Sequence, residues 1–111
     1  MHSTIDIREL TDDLLDERFL ETLSHLSSVD LDVPRAREIL RTRKEEGTLT
    51  YVAIVDGEIH GSASLVIETK FLHAGGKVGH VEDVVVHGVS QGLGIGKKLV
   101  EHATNEARKA G

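Results

Sequence analysis

Two short stretches hold residue types at spacings suited to chemistry. The first is Gln91-Gly92-Leu93-Gly94-Ile95-Gly96-Lys97, between an apolar strand-like run and an amphipathic stretch. Glycines let the backbone approach a ligand, and the first unpaired N–H groups of a following helix point at it. The helix dipole adds positive potential, so the turn suits a phosphate, with Lys97 and Lys98 beside it. A Walker loop does not fit, because Gln91 stands where its first glycine belongs and Lys98 where a magnesium-binding Ser or Thr belongs. A dinucleotide fingerprint fails as well, since Lys97 takes the place of its third glycine. The second stretch is Glu82-Asp83, directly before Val84-Val85-Val86. Paired carboxylates suit proton transfer. Adjacent residues of a regular strand point to opposite faces, so these two converge on one substrate only if the strand bulges. The plain alternatives are a glycine turn that binds nothing and two solvated acids at a strand end.

Other chemistries are disfavoured by what the chain contains. It has no cysteine, which excludes a disulfide scaffold, a thiolate metal site and a cysteine nucleophile. Its seven histidines, at positions 2, 25, 60, 73, 80, 87 and 102, form no His-Glu-x-x-His pattern, so no metal is expected. Residues 1–32 hold nine acids against Arg8 and Arg18, whereas residues 88–111 hold four bases against two acids. An acidic front and a mildly basic tail argue against a general nucleic-acid binder and leave room for one local anion site. Only Phe19, Tyr51 and Phe71 are aromatic, too few for a base-stacking platform. The longest apolar run is five residues, Tyr51 to Val55, so no membrane span is expected, and the first six residues lack the regions of a signal peptide. A cytoplasmic protein is the expectation.

The elements that must position these residues follow from periodicity. Residues 4–10 alternate apolar and polar, which predicts a strand. Thr11-Asp12-Asp13 offers caps for a helix whose stripe is Leu15, Phe19, Leu23 and Leu26. Pro34 and Gly47 bracket a second helix over 35–46, which packs only Ala36, Ile39 and Leu40. Residues 50–55 and 58–69 read as strands joined by the hairpin signal Asp56-Gly57, with Gly61 allowing a kink or close approach. A polar connection over 70–76 leads to a strand over 78–87, and Ile95, Leu99, Ala103 and Ala107 mark a final helix ending at Gly111. With 39% hydrophobic and 29% charged residues and no linker, the 111-residue chain reads as one α/β domain of order β-α-α-β-β-β-α.

The pattern Gln91-x-x-Gly94-x-Gly96 after a strand resembles the acetyl-coenzyme A pyrophosphate loop of the GNAT N-acetyltransferase superfamily. Lys70-Phe71-Leu72-His73 followed by Gly76-Lys77-Val78-Gly79-His80-Val81-Glu82-Asp83-Val84-Val85-Val86 is similar to the signature of eukaryotic-type glucosamine 6-phosphate N-acetyltransferases. His87-Gly88-Val89-Ser90 departs from it, standing where acidic and aromatic residues are more usual.

The resemblance implies an α+β fold with a GNAT-like mixed sheet, C-terminally incomplete over residues 1–111. It implies acetyl-coenzyme A as cosubstrate, without a metal. The pantetheine arm would pair with the backbone of Val84, Val85 and Val86, and the loop Gln91, Gly92, Leu93, Gly94, Ile95, Gly96 and Lys97 would hold the pyrophosphate. Glu82 and Asp83 would bind the amino sugar and take the amine proton, with Lys70, His73 and His80 contributing to the substrate site. Ser27 or Ser28 matches a further substrate position after the first helix, and which of the two stays open. The expected reaction is direct attack of the 2-amino group of glucosamine 6-phosphate on the thioester, in a homodimer that exchanges strands. The alternatives are a GNAT enzyme for another primary amine and a coenzyme A-binding module without catalysis. The tyrosine that protonates the departing thiolate in similar enzymes follows the loop helix, and Tyr51 lies in the wrong element to replace it.

Overall fold

Asp56 and Gly57 both take positive φ, 51° and 79°, as a tight two-residue hairpin requires. They join the two central strands of the chain. A computed structural model describes residues 4–110, apart from the side chain of Val89. Residues 1–3, read above for a leader, and Gly111, expected to end the last helix, lie outside the described residues. In order, the elements are β1 (Asp6–Glu9), α1 (Glu17–Ser24), α2 (Val33–Glu45), β2 (Thr48–Val55) and β3 (Glu58–Thr69). A single turn α3 (Leu72–Gly75), β4 (Lys77–Val86), a 3-10 turn (Gly88–Ser90) and α4 (Ile95–Lys109) follow. Within α3 His73 and Ala74 are left-handed, at φ 56° and 55°.

The strands form one sheet of order β1-β2-β3-β4, with every neighbouring pair antiparallel. Among the described residues the sheet is therefore antiparallel throughout, not mixed in strand direction. The cause is connectivity: α1 and α2 run in series between β1 and β2, and the later strands are joined by short turns.

The first two helices begin where a side chain can satisfy their free N–H groups. The Asp32 carboxylate accepts from Arg35 N at 2.8 Å, with Pro34 in the first turn of α2 and Gly47 at φ 89° just past its end. The first helix starts later than Thr11-Asp12-Asp13 suggested. Asp16 is its cap, accepting from Phe19 N at 3.0 Å. Leu14 N and Leu15 N instead donate to Thr11 O, a preceding turn that still buries Leu15.

Side chains alternate across the sheet and so fill two cores. On one face Ile95, Leu99 and Ala103 of α4 pack on Tyr51, Ala53, Ala63 and Leu65. On the other, Leu15, Phe19, Leu20 and Ala36 cover Val52 and Ile59. Gly61 lets α4 approach closely: a Cβ there would sit 2.8 Å from Ile95 Cγ2 and 3.0 Å from Leu99 Cδ1. Gly79 plays the same part farther along, with Ala107 Cβ 2.8 Å from where its own would be.

Candidate active site

The two acids sit where β4 is irregular. Ser62 pairs with Val85 but Ser64 pairs with Glu82, so β4 carries one extra residue between them. Asp83 absorbs the extra length in the left-handed region, at φ 51°. Val81 and Val84 both pack into the α4-side core. The two residues between them are left together on the opposite face. Glu82 reaches it through its register with Ser64, and Asp83 lines the cavity there. The bulge supplies the convergence that a regular strand would forbid. Both carboxylates are exposed, and neither makes a hydrogen bond or ion pair among the described residues.

That cavity, of about 360 Å³, opens between α1, α2 and the sheet. Most of its wall is apolar, from residues such as Leu20, Leu23 and Leu40. Ser27 and Ser28 both contribute hydroxyls to it, as do Thr50, Ser62 and Ser64. Asp83 and Arg43 are its charged members. Nothing in its spacing singles out Arg43, one basic residue among many on a charged helix. The structure turns it inward, donating to Ser64 Oγ at 2.6 Å and Thr50 Oγ1 at 3.4 Å.

The Lys-x-x-His stretch lies elsewhere. Lys70 Nζ pairs with Glu68 at 2.6 Å, and His80 Nε2 lies 3.3 Å from the same carboxylate. The bond from Lys70 holds the Glu68 carboxyl below its ordinary pKa. His73 is exposed on the left-handed turn, and none of Lys70, His73 and His80 lines the cavity.

The glycine turn stands at the other end of β4. Gly92 and Gly94 take φ of 90° and 76°, and a Cβ on either would meet nothing within 4 Å. Gly94 caps α4 without a side-chain bond, and Lys98 N closes the first helical turn on Gly94 O at 3.1 Å. The N–H groups of Ile95, Gly96 and Lys97 therefore lie in an open first turn with no side-chain cap. Ile95 is buried and anchors the turn, whereas Gln91, Leu93 and Lys97 are exposed. Gly96 brings the helix close to β4: its Cβ would be 3.6 Å from Val86 Cγ2. Val84, Val85 and Val86 pair only with β3 among the described strands, so the outer edge of β4 presents backbone groups to a ligand. These residues fit an extended phosphate-bearing molecule.

The segment before this turn is held by side chains that spacing did not single out. His87 is 5% exposed, and its Nε2 donates to Glu21 Oε1 at 3.0 Å, since a carboxylate only accepts. This bond is the main reason that Glu21 titrates below the ordinary carboxylate value. The His25 ring packs on His87 with centroids 4.4 Å apart, and Gly88 leaves room for it. His60 occupies a second bulge, skipped where Ala53 pairs with Gly61 and Ile54 with Ile59. Its Nδ1 is hydrogen-bonded to Ser90 Oγ, and burial pushes its pKa down, helped by Arg18 and His87. His80, the histidine inside the signature stretch, is exposed, whereas His87 is buried. Among the described residues no three His, Asp or Glu side chains are placed to hold a metal ion, and no helix is long and apolar enough to cross a membrane.

Comparison with known proteins matches this arrangement. A glucosamine 6-phosphate N-acetyltransferase from Trypanosoma brucei brucei is 39% identical over 95 residues, which cover 83% of this chain and 65% of the relative. One from Arabidopsis thaliana is 34% identical over 118 residues, covering all of this chain and 78% of the relative. Thus the chain spans just under two thirds of the first relative and about three quarters of the second. The crystal structure of a Trypanosoma brucei acetyltransferase superposes with a TM-score of 0.86 at 36% identity, over 96% of this chain and 76% of that one. Residues 8–111 match the acetyltransferase (GNAT) family, and the chain belongs to that family.

Proposed function

We propose that the protein transfers acetyl from acetyl-coenzyme A to the 2-amino group of glucosamine 6-phosphate, as the names of its relatives suggest. One observation carries the reading: the bulge at Asp83 gathers two unpaired carboxylates beside a cavity, on the strand whose edge leads to the glycine turn. Gly92, Gly94 and the first turn of α4 would hold the pyrophosphate, and the outer edge of Val84–Val86 the pantetheine arm. Acetyl-coenzyme A supplies an activated thioester. The chain has to keep the amine neutral, aim it, and offer a donor to the developing oxyanion. Asp83 or Glu82 takes the amine proton, directly or through water, as the C–N bond forms and the C–S bond breaks. A backbone N–H of the Val84–Val86 stretch faces the carbonyl oxygen. No covalent intermediate on the protein is needed.

The same reading makes the protein a cytoplasmic homodimer. Phe71 and Leu72 support a partner subunit, being large apolar side chains 104% and 72% exposed on the left-handed turn. Sedimentation of the protein, with a Phe71→Ser variant as control, tests this: a monomeric wild type refutes it.

The catalytic test is a thiol-release assay with acetyl-coenzyme A and glucosamine 6-phosphate. Wild type turns over, and Glu82→Gln and Asp83→Asn together lose roughly 10²–10⁴-fold in kcat, the range of general acid–base contributions. Full turnover in the double variant refutes the carboxylate roles. Acetylation of a different primary amine in preference to the sugar refutes the acceptor. Calorimetric binding of coenzyme A with no amine acetylated leaves a binding module instead of an enzyme.

A further inference from the structure

The acceptor cavity holds a guanidinium, that of Arg43, which makes no ion pair among the described residues. Arg8, Arg18, Arg35 and Arg41 each face an acid at 2.6–3.5 Å, and Arg37 donates to the backbone carbonyls of Asp12 and Leu15. Arg43 does neither. It projects from the last turn of α2 into the cavity and, among the described residues, donates only to the hydroxyls of Ser64 and Thr50. Both hydroxyls belong to adjacent, register-paired positions on β2 and β3, so the sheet fixes the guanidinium in one orientation. Two neutral partners orient the group without discharging it, and five N–H donors exceed what two hydroxyls can accept. A cation beside an apolar wall is costly unless a partner arrives. A guanidinium so placed suits a phosphate monoester, whose oxygens accept two parallel N–H bonds.

Ser64 is also the register partner of Glu82 on β4. The cation's anchor and the two acids thus stand one strand apart, about 5 Å, on the same face of the sheet. A small molecule that places an amine at Asp83 and an anionic group at Arg43 meets opposite charges at its two ends. The basic residues Lys70 and His73 do not line this space, and Lys70 is already paired with Glu68.

We propose that Arg43 is the specificity-determining residue that captures the acceptor's phosphate, held ready by Ser64 and Thr50. This rests on the acetyltransferase reading above and adds which residue selects the phosphorylated sugar over the plain one. The test compares kcat and KM for glucosamine 6-phosphate and glucosamine in wild type, Arg43→Met and Arg43→Lys. Arg43→Met is expected to lower kcat/KM for the phosphorylated sugar roughly 10- to 100-fold more than for glucosamine, as for a lost hydrogen bond to a charged group. The change should fall mainly in KM. Arg43→Lys keeps the charge without the planar fork, and should show a smaller rise in KM confined to the phosphorylated sugar. It also serves as the informative variant should Arg43→Met fail to fold, and a wild-type KM in it overturns the proposal. An unchanged preference in Arg43→Met, or an equal loss for both sugars, overturns the role of Arg43 alone. A wild type that acetylates neither sugar overturns the acceptor assignment and this inference with it.

Discussion

Replacing Asp83 separates the backbone's role from the carboxylate's. The residue lies at φ 51° and is exposed, without a side-chain hydrogen bond or ion pair among the described residues. Its side chain therefore adds little to stability, and substitutions are felt through the backbone. The left-handed conformation costs an L-residue roughly 1–2 kcal/mol, less for Asp and Asn, and almost nothing for Gly. Asp83→Asn should hold wild-type stability. Asp83→Ala should lose about 1 kcal/mol, because alanine has no local bond to offset the strain. Asp83→Gly should exceed the alanine variant by about 1 kcal/mol, offset in part by the greater freedom of glycine in the unfolded chain. For a domain of this size 1 kcal/mol corresponds to about 4–8 °C in Tm. Turnover should follow a different order, with all three variants depressed because each lacks the carboxylate. Thermal unfolding by circular dichroism and thiol release on the same preparations give both orders. Equal Tm for Ala and Gly would show that residue 83 is not left-handed, and wild-type turnover in Asp83→Gly would remove its carboxylate from the reaction.

Gly61→Ala places a methyl 2.8 Å from Ile95 Cγ2 and 3.2 Å from the Val85 carbonyl oxygen, so it should cost about 1–3 kcal/mol. Because Ile95 begins α4, coenzyme A affinity should fall with it, and calorimetry showing wild-type affinity would contradict the packing argument. Burial lowers the pKa of His60 in the native state from the ordinary 6.5, so the unfolded chain takes up the proton first. Its stabilising contribution is then complete above pH 6.5 and is lost as pH falls toward the lower native value. Tm should decline over that window in wild type and less so in His60→Asn, and parallel profiles would refute the assignment. Tyr51, raised to about 12 by burial and by Glu106 and Glu9, should stay protonated until well past pH 10. A spectrophotometric titration of this single tyrosine reads that directly, and a midpoint near 10 would mean that the ring is not buried.

What could be read in advance depended on whether its cause was local. The limits of β3 were legible because Asp56-Gly57 begins it and a polar turn ends it. The second helix was legible through Pro34 and Gly47, whose backbone preferences act within their own residues. The start of α1 was less so, because Thr11, Asp12, Asp13 and Asp16 are all competent caps. Packing of Leu15 into the core decides for Asp16. Glu82 and Asp83 were identifiable as acids of interest, yet their convergence needed a bulge that no glycine marks. Arg43 read as one more charge on a solvated helix. Only the pairing of Thr50 with Ser64 shows why it turns inward. His25, His60 and His87 are far apart in sequence, and their meeting is a property of the folded chain.

Two irregularities of one sheet then account for how the site is built. The bulge at Asp83 aims a carboxylate into the cavity, and the bulge at His60 aims an imidazole at Ser90, next to the glycine turn. At and beyond the Asp83 bulge, Ala63 and Leu65 stay in the α4-side core, so the shift does not disturb the packing that fixes the helix. Regular pairing would have been the more stable ladder at both places, since a bulge leaves a residue unpaired. Here the released groups find other partners: Arg18 Nε donates to Ile59 O at 2.7 Å, and the His60 carbonyl accepts from His87 N at 2.8 Å. Those bonds tie the second bulge both to α1, which lines the cavity, and to the segment entering the glycine turn. Because His87 also bonds Glu21 of α1, the cavity and the glycine turn share one set of contacts. A sheet without bulges would hold the same residues and leave the carboxylates on opposite faces.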